Sequence, residues 1–110
     1  MKAQLTILAA ALALSAAATV EAKGNAEKGK AKAAQVCAAC HGADGAKPTA
    51  PENPVLAGQH ADYLVKALAD YKSGKRANPV MKTFADQLSR QDMEDLAAWF
   101  ASQQGLALKR

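Results

Sequence analysis

From Asn25 onward, apolar positions recur at helical spacing in three separate stretches. The clearest begins at Ser89, followed three residues later by Asp92 in a variant capping box. Met93, Leu96, Ala97 and Phe100 then fall on one face, Trp99 flanks it, and Gly105 is read as its end. A second helix is predicted from about His60 to Ser73. Tyr63, Leu64, Ala67, Leu68 and Tyr71 form its apolar face, and Gly74 stops it. The first helix is predicted from about Asn25, a good N-cap, to Cys40, with alanines and lysines filling its turns. Gly29 inside it costs helix stability, which points to close packing there. The intervening stretches read as loops: Gly42 to Gly58, with Pro48, Pro51 and Pro54, and the basic segment Gly74 to Pro79, with a short turn of helix after Pro79. No strand pattern or repeat is visible, so the reading is all-α.

The residues before this pattern follow a different rule. Met1-Lys2 gives a positive start, Leu5 to Ala18 is an apolar run rich in alanine and leucine, and Val20-Glu21-Ala22 offers small residues for cleavage. Residues 1–22 are expected to be a secretory signal cut after Ala22, leaving residues 23–110 as one domain. An uncleaved anchor is the weaker reading: Gln4, Thr6, Ser15 and Thr19 interrupt the run, which falls short of the ~20 residues a span needs.

The chain has 110 residues and a net charge of +4, and Lys2 and Glu21 would leave together without changing that balance. A mildly basic surface favours acidic protein partners. Charge this low, with aromatics at 5%, gives no sign of nucleic-acid binding. No second apolar run is present, so no stable membrane insertion is expected after cleavage. A domain this short buries a limited core and commonly needs a staple. A disulfide between the two cysteines would close too short a loop to serve.

Those cysteines stand in Cys37-Ala-Ala-Cys40-His41, the attachment signature of a c-type haem. On a helix, positions i and i+3 share a face, so both thiols can add to the vinyl groups along one haem edge. His41 follows immediately and places an imidazole beneath the iron. A thioredoxin-like dithiol needs a βαβ context that is lacking here, and a zinc site needs a fourth ligand with no supporting spacing. One covalent haem c would also supply the missing core, around which a long loop can wrap.

A thioether is the expected sixth ligand, because it raises the reduction potential and suits electron transfer. Met93 lies on an apolar helix face and reads as core filler. Met81, after Asn78-Pro79-Val80, sits at a loop–helix junction from which it can reach a cofactor. Met81 is therefore favoured, with His60 as the alternative.

At this point the sequence resembles the class I c-type cytochromes, in particular the small periplasmic group of single-haem carriers and the halves of dihaem carriers. The resemblance rests on Cys37 to Gly45, Pro54-Val-Leu-Ala-Gly-Gln59, Tyr63-Leu64, Asn78-Pro79-Val80-Met81, Leu88-Ser89 and Leu96-Ala-Ala-Trp-Phe100, and covers nearly all of residues 24–104. It implies a compact fold of three main helices and short turns wrapped around the haem, with His41 and Met81 as axial ligands. It further implies that the Pro51 carbonyl accepts the hydrogen bond from the other His41 nitrogen. Asn78 would lie near the Met81 sulfur or a haem propionate, with Arg76 and Tyr63 as propionate partners. The first and last helices would cross, giving Gly29 and Trp99/Phe100 a structural role. At Asn53 the sequence departs from relatives that often carry an aromatic residue there.

The expected function is periplasmic one-electron transfer between respiratory or dehydrogenase partners, without enzymatic turnover. Lys47, Lys75, Arg76 and Lys82 are candidates for steering acidic partners at the haem edge, or else scattered solubilising charges. The rival readings are a gas sensor or a peroxidase, each needing an open iron site, which Met81 argues against. Free carrier and subunit of a larger complex are not separated by sequence.

Overall fold

A computed structural model describes residues 23–105, and the expected signal segment lies outside the described residues. Five helices follow one another: α1 (Ala26–Val36), α2 (Ala38–His41), α3 (Ala61–Ser73), α4 (Pro79–Ala85) and α5 (Arg90–Ala101). Among the described residues there is no strand.

The helix starts follow local chemistry. Asn25 caps α1 by accepting from the Lys28 amide (2.9 Å). Ser89 and Asp92 close a reciprocal capping box on α5, each side chain accepting from the other's backbone N–H (2.9 Å both ways). Those bonds, aided by Lys32, hold the Asp92 carboxyl below its ordinary value. Gly74 ends α3 at φ +86°, the left-handed conformation that glycine adopts without strain.

Four boundaries differ from the sequence expectation. The first helix is interrupted at Cys37, whose carbonyl accepts from both Cys40 (3.2 Å) and His41 (3.0 Å), so the motif occupies a separate short turn. His60 stands at the N-cap position outside α3, and its side chain makes no capping bond. The last helix stops at Ala101, before Gly105, because the Ser102 hydroxyl and the Gln103 amide both donate to the Trp99 carbonyl. The turn after Pro79 is longer than expected: Asn78 caps it by accepting from the Val80 and Met81 amides, and α4 runs to Ala85.

α1 crosses α5 at a point where backbone meets backbone. A Cβ on Gly29 would sit 1.9 Å from the Asp95 carbonyl oxygen. The buried Asp95 carboxylate accepts from the Asn25 amide (2.8 Å) and the Gln91 side chain (2.9 Å), tying the start of α1 to the middle of α5. Leu64 and Val65 of α3, Leu88, and Met93, Leu96, Ala97 and Phe100 of α5 complete the core. Among the described residues Leu96 is the most completely buried of the large side chains. α3, α4 and the Gly42–Gly58 loop stand around the apolar interior and leave a cavity on the side of α2.

Candidate cofactor site

The cavity has a volume of about 510 Å³, within the usual range for cofactor pockets. Cys37, Cys40 and His41 line one side. Tyr63, Leu64, Ala67, Leu68 and Tyr71 of α3 line another, Met81 and Phe84 of α4 a third, and Leu96, Ala97 and Phe100 of α5 form the back. The apolar faces read from the sequence for α3 and α5 therefore serve the core and this cavity together.

His41 is buried, and its Nδ1–H donates to the carbonyl of Pro54 at 2.9 Å. A carbonyl only accepts, so the neutral ring carries its proton on Nδ1 and keeps the Nε2 lone pair for a ligand. The acceptor is Pro54 and not Pro51, correcting the expectation from the family pattern. A turn closes from the Asn53 amide to the Ala50 carbonyl (3.0 Å), leaving Pro51 exposed at its tip and delivering Pro54 to the imidazole. Asn53, the position that departs from many relatives, donates from its side-chain amide to the Cys40 carbonyl (3.1 Å). Thr49 donates to the Ala39 and Cys40 carbonyls beside it, so the loop fastens the end of α2.

The two cysteines are not joined to each other. Burial pushes the Cys37 thiol up to about 11, which keeps it protonated near neutrality. A redox-active dithiol has the opposite character, a thiolate held low. Among the described residues no cluster of three or more His, Cys, Asp or Glu is arranged to hold a metal ion.

Met81 is half-buried at the start of α4 and lines the cavity; Met93 is buried in the core away from it. His60 is exposed and is not among the lining residues. Asn78 lines the cavity, and its side-chain oxygen is taken up by the two α4 amides, one of them that of Met81 itself. Arg76 donates to the Tyr63 hydroxyl (3.3 Å), and its guanidinium lies 4.7 Å from the centre of the Tyr71 ring. Tyr63, followed by Tyr71, reinforces the arginine's charge at the cavity wall. Lys47 and Lys75 are exposed. Lys82 pairs with Asp86 at 3.0 Å.

Thr49 was passed over by the sequence reasoning, and so were the particular contacts of Asn53, Tyr71 and Trp99, whose indole donates to the Ala43 carbonyl (3.0 Å). Thr49, Asn53 and Trp99 act through contacts nine or more residues away, for which neither periodicity nor spacing carries a signal, though the asparagine's departure from the family pattern marked its position.

An apolar cavity offering two thiols, one imidazole fixed in its Nδ1–H form and one thioether suits an iron porphyrin. The donors are soft or nitrogenous, and the walls match a flat hydrophobic ring.

A family model for cytochrome c matches residues 26–104. The chain is 51% identical over 92 residues to cytochrome c4 of Pseudomonas aeruginosa, covering 84% of this chain and 45% of that one. It is 47% identical over 66 residues to a thiosulfate dehydrogenase electron acceptor of Stutzerimonas stutzeri, covering 60% of this chain and 31% of the other. The crystal structure of reduced recombinant cytochrome c4 from Pseudomonas stutzeri superposes with a TM-score of 0.68 at 46% identity, over 76% of this chain and 47% of that one. The chain spans about half the length of the first curated relatives it matches.

Proposed function

Because the chain belongs to the cytochrome c family, as a class I c-type cytochrome, we propose that it carries single electrons between protein partners on one covalent haem c. When bound, the haem supplies an iron that changes oxidation state by one electron. In this reading Cys37 and Cys40 would provide the two thioether links, His41 and Met81 would hold the iron, and Arg76, Tyr63 and Tyr71 would bind the propionates. The observation that carries the reading is the convergence of both thiols, the imidazole and a single thioether on one apolar cavity.

The protein's part is to hold its ligands still. Pro54 fixes the orientation of His41 and, by accepting the hydrogen bond from its Nδ1–H, raises its electron donation. Asn78 fixes the backbone of Met81. With both ligand-bearing segments anchored, little needs to move between oxidation states. Apolar walls and a thioether both disfavour the more highly charged ferric form and raise the potential.

Residues 1–22 act as a cleaved leader in this reading, and the carrier works in the periplasm. No helix among the described residues is long and apolar enough to cross a membrane. Lys47 and Lys75 supply exposed positive charge for acidic partners. A dehydrogenase is one class of electron donor, in keeping with the relative named as a dehydrogenase's electron acceptor.

Potentiometric titration of the purified holoprotein tests this directly. A single wave with one-electron slope is expected, with no binding of carbon monoxide by the ferrous form. A ferrous form that readily binds carbon monoxide would favour the sensor or peroxidase readings instead.

A further inference from the structure

Met81 sits on a helix of seven residues, so whatever fixes α4 decides how firmly that sulfur is presented. The lead-in from α3 is held at Arg76, whose backbone N–H donates to the Asp70 carbonyl (3.0 Å) and whose guanidinium reaches Tyr63 and Tyr71. Residues 74–78 are exposed, and nothing lies within 4 Å of where a Gly74 side chain would begin. Two lysines fasten α4 itself. The ammonium of Lys82, next to Met81 in sequence, donates to the Lys72 carbonyl in the last turn of α3 (2.9 Å) and to Asp86 one turn further on (3.0 Å). The ammonium of Lys72 donates to the carbonyl of Leu88 (2.6 Å), in the corner between α4 and α5. Leu88 is 3% exposed and lines the same cavity as Met81.

Both acceptors are carbonyls without a partner inside a helix ladder, one at the end of α3 and one beyond α4. Each donor is charged, which strengthens the bond over a neutral one. The end of α3 is thereby tied to Lys82 within α4 and to Leu88 just beyond it, positions that flank the half-buried Phe84 in sequence.

We propose that Lys72 and Lys82 form a strap that positions Met81 by holding α4 against the end of α3, and that Lys82 is not a partner-docking charge. The strap rests on the reading that Met81 ligates the iron. It lowers the population of the state in which α4 lifts and the sulfur withdraws. An added ligand that competes with Met81 reports that population, since its apparent affinity scales with the fraction of open protein.

The test is to titrate imidazole into the ferric holoproteins of wild type, Lys72→Met, Lys82→Met and the double variant. Displacement is followed by loss of the weak red-end band of thioether-bound iron, and amide exchange is measured along α4. Loss of one such hydrogen bond should tighten apparent imidazole affinity by about two- to tenfold in each single variant. The double variant should shift further, with faster exchange in α4, while Lys82→Arg stays near wild type. Lys66→Met removes equal charge from the Lys66–Asp70 pair on α3 and should change nothing. Unaltered affinity and exchange in the double variant, or an equal shift in Lys66→Met, overturns the strap and leaves the ligand reading standing. A wild-type protein with no red-end band removes the ligand reading, and the strap with it.

Discussion

Met81→Ala is expected to abolish the red-end absorption band of the ferric protein and to lower the reduction potential. The fall should be on the order of 0.1 V, a fraction of the roughly 0.8 V span that axial ligands command. Met81 lines the cavity and is half-buried on α4, so under the proposed ligation its removal takes away a soft, neutral donor that favours ferrous iron. Water or an added ligand then reaches the vacated position. Met93→Ala is the matched comparison. Met93 is 3% exposed among Leu88, Leu96 and Phe100, so its truncation should cost about 2–5 kcal/mol of stability and leave the band in place. Met81 is thus expected to set the spectrum and Met93 the stability; an interchange of the two results would reverse the assignment.

Gly29→Ala is expected to destabilise the protein, against the direction of helix propensity. In an exposed helix, alanine is favoured over glycine by about 1 kcal/mol. Here the added carbon would lie 1.9 Å from the Asp95 carbonyl oxygen and 2.9 Å from the Trp99 Cβ. The first obstacle is backbone, which cannot rotate away, so α1 and α5 must separate. Separation stretches the bond from the Asn25 amide to the Asp95 carboxylate and leaves that buried group poorly satisfied. Overpacking of this kind costs about 1–3 kcal/mol and occasionally more, which exceeds the propensity gain. A net loss of about 2–3 kcal/mol should lower Tm by roughly 10 °C or more in a domain of this size. Denaturant unfolding of the holoprotein measures it. Stability equal to or above wild type would mean that α1 and α5 do not cross at Gly29.

Local rules made much of this legible in the sequence. Asn25, Ser89 with Asp92, and Gly74 marked helix ends because capping is decided within a few residues. The faces of α3 and α5 were readable from their period, and Cys37, Cys40 and His41 from a motif whose spacing has a chemical reason. The cost of Gly29 pointed to a close approach, which proves to be the backbone of α5.

Tertiary contacts were less visible. The acceptor for His41 depends on a turn between Ala50 and Asn53 that no pattern announces, and it moved the carbonyl from Pro51 to Pro54. Lys82 read as a surface charge because a lysine in a loop normally is one; its partners are a carbonyl ten residues back and the Asp86 side chain. α5 ended early because Ser102 and Gln103 compete for the Trp99 carbonyl, whereas Gly105 looked like the natural stop.

Intact mass spectrometry of the protein exported by its own host, after treatment with a thiol alkylator, tests the central claim most directly. The account predicts a chain beginning at Lys23, heavier by one haem, with neither Cys37 nor Cys40 alkylated. A colourless chain whose cysteines take up the reagent, or are found bonded to one another, would contradict it.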